Sequence, residues 1–69
     1  MNFDWIDGFC IKVDANENEV VISANKEGLL SLAEICKALA NSNIAGDHVH
    51  LDQHNSLEDH SAELIICRL

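Results

Sequence analysis

Residues 27–42 read EGLLSLAEICKALANS, and the spacing of their apolar members decides what fold the rest of the chain must complete. Leu29, Leu32, Ala33, Cys36, Leu39 and Ala40 recur at intervals of three and four. On a helix this gathers them into one stripe about 120° wide, opposite Ser31, Glu34 and Asn41. The spacing predicts one amphipathic helix from Glu27 to Ser42. Asn25 stands where an N-cap belongs, Glu27 suits the positive end of the helix dipole, and Asn41, Ser42, Asn43 and Gly46 end the element.

On both sides of this helix the apolar period changes to two. From Phe9 to Asp14, Phe9, Ile11 and Val13 alternate with Cys10, Lys12 and Asp14; from Glu19 to Ser23, Val20 and Ile22 alternate with Glu19, Val21 and Ser23. Ala15, Asn16, Glu17 and Asn18 supply a turn between them, so the pair reads as a hairpin. After Gly46, the stretch His48–Gln53 sets Val49 and Leu51 against His48, His50 and Asp52, and Ser61–Arg68 sets Ala62, Leu64 and Ile66 against Glu63, Ile65 and Cys67. The predicted order is ββαββ: an α+β fold in which a four-stranded, largely antiparallel sheet carries one helix on one face. A single helix covers one side of such a sheet, so the other side meets water or a partner.

At 69 residues the chain has room for one core, and residues 1–69 are expected to form a single domain. A chain this small has little stability with which to hold a deep, water-excluding cleft, which argues against an enzyme. Twelve acidic residues against Lys12, Lys26, Lys37 and Arg68 give a formal net charge of -8. Nucleic-acid affinity rests on Lys and Arg displacing counterions, so a nucleic-acid partner is not expected; the acidity either favours basic protein partners or serves only to keep the protein soluble. Cys10, Cys36 and Cys67 are odd in number and lie in apolar runs without CxxC spacing, which reads as reduced thiols. The acidic start, MNFDWIDGF, lacks the pattern of a secretory signal, and no apolar run approaches a membrane span. A cytoplasmic protein without a membrane partner is expected. No glycine-rich phosphate loop is present, and no cofactor is expected.

The segment His48, Val49, His50, Leu51, Asp52, Gln53, His54 places titratable residues at every second position, on one face of a strand. Pairing Val49 with Ile66 and Leu51 with Leu64 keeps the apolar residues together in the core. His48 then lies opposite Cys67, His50 opposite Ile65, and Asp52 opposite Glu63. Imidazole, thiolate and carboxylate are zinc ligands, so His48, His50, Asp52 and Cys67 form an alternative metal-binding reading. The run is similar to the HxHxDH signature of metallo-β-lactamase-like hydrolases, but Gln53 separates Asp52 from His54 and the chain is too short for that fold. A like-charge pair of Asp52 and Glu63 would cost stability unless a cationic partner relieved it. Val21, Ile65, Cys10 and Cys67 share this face with the acidic and imidazole groups, a mixture typical of an interface. Homodimerisation through the open face or an edge strand is a further reading.

Ser23–Ala33 (SANKEGLLSLA), Gly46–Asp52 (GDHVHLD) and, further on, Leu57, Glu58, Asp59, Ser61, Glu63, Leu64, Ile65 and Ile66 together resemble the small immunity proteins of bacterial polymorphic-toxin systems known as immunity protein family 32. The resemblance spans the last two-thirds of the chain and leaves out the N-terminal hairpin. It implies a protein encoded beside a toxin, whose C-terminal domain, often a nuclease or another cytoplasmic poison, it neutralises by binding. The positions it carries over as partner-binding are His48, His50, Asp52, Glu58, Ser61 and Glu63.

Overall fold

A computed structural model describes residues 2–69 and orders them as β1 (Ile11–Ala15), β2 (Val20–Ala24), α1 (Lys26–Ala40), β3 (His48–Leu51) and β4 (Leu64–Cys67). The fold is α+β, with the expected ββαββ order. β1 and β2 pair antiparallel, Val13 opposite Ile22 and Asp14 opposite Val21, and the turn between them closes where the Asn16 N–H donates to the Glu19 carbonyl at 3.0 Å. β3 and β4 pair antiparallel in the expected register: His48 with Cys67, Val49 with Ile66, His50 with Ile65 and Leu51 with Leu64.

The four strands form two two-stranded sheets where a single sheet was expected. The two are joined by an irregular seam. The Glu58 N–H donates to the Ile11 carbonyl at 2.9 Å and the Ala62 N–H to the Val13 carbonyl at 2.8 Å, but the Val13 N–H finds the side-chain Oγ of Ser61, at 3.1 Å, in place of a backbone carbonyl. His60 takes a positive φ of 67° here, a conformation His tolerates better than most residues, and it breaks the extended chain that a continuous ladder requires. Serine at position 61 thus completes by side chain what the kinked backbone leaves unpaired.

Asn25 caps α1 as predicted and does more. Its Oδ1 accepts the Gly28 N–H at 2.8 Å and the Cys10 N–H at 3.0 Å, while its Nδ2 donates to the Gly8 carbonyl at 2.9 Å. The cap therefore ties the start of the helix to the chain entering β1. At the other end the guanidinium of Arg68 donates to the Ala40 carbonyl at 2.8 Å, placing a cation on the negative end of the dipole.

The helix meets the sheets with a different face from the one predicted. Its buried residues are Gly28, Ser31, Ile35 and Leu39, with Leu32 packed beside them. At 100° per residue this stripe is turned by about a quarter of a turn from the expected one. Leu29 is 56% exposed and Cys36 is exposed, whereas Ser31 and Ile35 are fully buried. Two small residues explain the rotation. A Cβ on Gly28 would stand 2.9 Å from Ile11 Cγ1, so only glycine allows the helix backbone this close to β1. Ser31 satisfies its hydroxyl internally, donating to the Glu27 carbonyl at 2.8 Å and accepting the Ile6 N–H at 2.9 Å.

Ile11, Val13, Ile35, Leu39, Leu51 and Leu57 are the buried centre of the core. The N-terminal segment closes over it through an aromatic run: Trp5 stacks on Phe9 at 4.4 Å and meets Phe3 edge-on at 5.3 Å. The smallest dimension of the molecule, 19 Å, matches one helix layer on one sheet layer. Among the described residues no helix is long and apolar enough to cross a membrane.

Candidate functional site

With Ile11 and Val13 buried under the helix, alternation turns Cys10, Lys12 and Asp14 to the opposite side. With Val49 and Leu51 packed on the core, it likewise turns out His48 and His50. The seam brings these outer faces together. Lys12 Nζ donates to the Asp14 carboxylate at 2.8 Å and reaches the His60 carbonyl at 3.2 Å, and the Glu58 side chain lies beside the Cys10 thiol. Hydrogen bonding to the Glu58 carboxylate, with partial desolvation and the carboxylate's charge acting in the same direction, holds Cys10 above the usual thiol range.

The six positions singled out in the sequence divide into two kinds. His48, His50 and Glu63 are exposed. The two imidazole rings meet edge-on at 5.1 Å, His50 Nδ1 lies 3.8 Å from a Glu63 carboxylate oxygen, and His48 Nδ1 is 3.0 Å from the Gly46 carbonyl. Glu58 joins this face through Cys10.

Asp52 and Ser61 are turned to internal work. The β3–β4 ladder stops at Leu51 and Leu64, and Asp52 begins a turn instead of facing Glu63 across the sheet. Its Oδ1 accepts the N–H groups of His54 at 2.8 Å and Asn55 at 3.1 Å, and its carbonyl accepts that of Leu57 at 2.8 Å. The turn swings Leu57 into the core, where it is 4% exposed. His54 therefore leaves the line of His48 and His50. With Asp52 and His54 diverted, no group of three or more His, Cys, Asp or Glu among the described residues is arranged to hold a metal ion.

Sequence reasoning missed the Lys12, Asp14 and His60 strap and the contact between Glu58 and Cys10. Alternation alone put Cys10 and Lys12 outward, but nothing local indicated that the 58–62 segment would run beside β1. On this face the one lysine is held by its neighbours, while among the described residues Glu58 and Glu63 have no Lys or Arg within bonding distance. The surface offers carboxylates and imidazoles around an apolar centre at Ile65, which is 50% exposed. It is suited to receive cationic side chains.

The family model described as Immunity protein 32 matches residues 19–69, from the end of the β1–β2 turn through β4. No curated protein and no solved structure matches this chain.

Proposed function

The chain belongs to the immunity protein 32 family, and from that premise we propose that it binds the C-terminal domain of a cognate toxin in the cytoplasm and neutralises it by covering its working surface, without catalysis. The family match carries the reading. The physical character of the outer sheet face supports it, since a domain of net charge -8 with an uncovered acidic face attracts a basic protein and accelerates its encounter. A nuclease is the class of toxin this chemistry fits best: its active site must carry cations to hold phosphate, and carboxylates seated on those cations exclude the substrate.

In this reading His48, His50, Glu58 and Glu63 contact the toxin, with Ile65 as the apolar centre. Asp52 and Ser61 act as positioning residues, the first by holding the turn after β3 and the second by closing the seam on β1. Co-production with the toxin encoded beside it tests the proposal. Growth is expected to recover in proportion to the amount of folded protein; undiminished toxicity in cells that contain abundant folded protein rejects it.

A further inference from the structure

A second surface lies along β2, at the far edge of the hairpin from the seam. The hydrogen bonds that flank the β1–β2 ladder, Asn16 N–H to the Glu19 carbonyl and Asn25 N–H to the Cys10 carbonyl, set its phase. In an antiparallel pair the residues that exchange bonds alternate with those that do not. Glu19, Val21 and Ser23 therefore turn their amide groups toward β1, and Val20 and Ile22 turn theirs outward. The same phase on β1 turns Ile11 and Val13 away from β2, and their groups are the ones taken by Glu58, Ala62 and Ser61. No such segment covers β2: the outward amide groups of Val20 and Ile22 have no partner among the described residues.

The side chains of this edge are apolar on both faces. Val20 is 62% exposed and Ile22 42% on the helix side, and Val21 45% on the opposite side. Edge strands are ordinarily protected by Lys, Pro or a bulge. The Val20–Ala24 run, VVISA, has neither residue, and its ladder is unbroken. Asp14, Glu17 and Glu19 surround the turn end of the strand, where Lys12, bonded to Asp14, is the nearest cation in sequence.

We infer that β2 is a docking edge for an extended, basic segment of another protein, which adds as a third strand to the β1–β2 hairpin. Main-chain bonds to Val20 and Ile22 would hold it, its alternate apolar side chains would cover the exposed valines and isoleucine, and its Lys or Arg residues would meet Asp14, Glu17 and Glu19. A second copy of the chain fits less well, because each copy carries a net charge of -8. The inference deepens the proposed function by giving the basic partner a mode of attachment away from the histidine face.

The test uses the full chain and a fluorescent, end-capped nonapeptide that alternates lysine with valine. Two control peptides accompany it, one with glutamate for lysine and one N-methylated on alternate backbone amides, which keeps the charge and removes the strand bonds. The wild-type chain is expected to bind the basic peptide and to bind both controls at least tenfold more weakly. Ile22→Pro removes only an outward N–H and should leave the hairpin folded, as amide exchange at Val21 and Ser23 will report, while weakening the basic peptide at least tenfold. Ile22→Thr, which keeps that N–H, should retain part of the affinity if Ile22→Pro disturbs the hairpin. Equal binding of the N-methylated peptide, unchanged binding by Ile22→Pro, or no binding by the wild type overturns the inference. So does a wild-type dimer in equilibrium sedimentation that Ile22→Pro converts to monomer, which would give the edge to a second copy. Neutralisation of the adjacent toxin by a folded Ile22→Pro variant sinks the edge and spares the proposed function; failure of the wild type to neutralise it sinks the proposed function while peptide binding still stands or falls by itself.

Discussion

The backbone of Gly28 lies so close to that of Cys10 that a Cβ on the glycine would stand 2.6 Å from the Cys10 carbonyl oxygen. Ile11 Cγ1 and the Cβ of Ala24 would be at 2.9 and 3.0 Å. This contact sets the helix on the first hairpin and turns its apolar flank outward. Gly28→Ala offers about 1 kcal/mol in helix propensity, but it forces backbone apart, and overpacking costs about 1–3 kcal/mol or more. A net loss of roughly 1–2 kcal/mol is expected in urea denaturation. A gain would show that the helix does not approach β1 this closely.

Ser31 and Leu29 exchange the roles that hydrophobicity assigns them. Ser31→Ala leaves the Ile6 N–H without its acceptor and is expected to cost about 1–3 kcal/mol, whereas Leu29→Ala should stay within about 0.5 kcal/mol. Ile35→Ala, at a fully buried position, should cost about 2–5 kcal/mol. The reverse ranking in thermal or urea unfolding would restore the stripe centred on Leu29 and Cys36.

This reversal shows what was legible in the chain. Periodicity located the helix, its Asn25 cap, all four strands and the register of His48 with Cys67, because each depends on residues within one hairpin or one turn. It failed where a long-range contact overrides local pattern. Gly28 and Ser31 look like surface residues until a backbone and an orphan N–H arrive from elsewhere in the chain. Alternation likewise extends β3 through Asp52, but an aspartate that can cap its own turn ends the strand there. Of the candidate site, the outward placement of the histidine pair and Glu63 was readable; the hydrogen bonds that Asp52 and Ser61 make within the chain were not.

Asp47 supplies a pH-dependent prediction. The Ser42 hydroxyl donates to its Oδ2 at 2.8 Å and lowers its carboxyl below the usual range, with the His48 amide acting in the same sense. A carboxyl whose folded value lies below its unfolded value stabilises the fold above the unfolded value, and that contribution is lost as pH falls through the folded one. Ser42→Ala should therefore move the Asp47 titration upward, toward the ordinary carboxylate range, in a carbon-detected NMR titration. It should also flatten the acid limb of the stability curve. An unmoved Asp47 titration would mean that the hydroxyl is not its main partner.

Cys10 responds in the opposite direction. Its thiol is raised chiefly by the hydrogen bond with Glu58, so Glu58→Ala should lower it and speed its alkylation by iodoacetamide near pH 8. Mass spectrometry of the modified peptide separates Cys10 from the exposed Cys36 and Cys67. A rate that is unchanged or slower would place the Glu58 carboxylate away from the thiol.

Asp52 and Glu63 separate the proposed contact role from the proposed positioning role. Asp52 and Glu63 are both carboxylates near the end of the second hairpin, yet Asp52 accepts two backbone N–H groups of its own turn while Glu63 faces the His50 ring. Asp52→Ala should destabilise the chain by about 1 kcal/mol through loss of the turn, whereas Asp52→Asn keeps an acceptor oxygen and should be close to neutral. Glu63→Gln alters only an exposed pair and should change stability by less than about 1 kcal/mol. Binding should rank the two otherwise. Where a Lys or Arg of the toxin sits on Glu63, Glu63→Gln leaves that cation without its counter-charge and should weaken the complex by about 2 kcal/mol. Asp52→Asn should leave affinity unchanged, since its oxygen is spent within the turn. Calorimetric titration of the toxin domain with each folded variant decides the matter: equal losses from Asp52→Asn and Glu63→Gln would make Asp52 a contact residue, and no loss from either would move the toxin off this face.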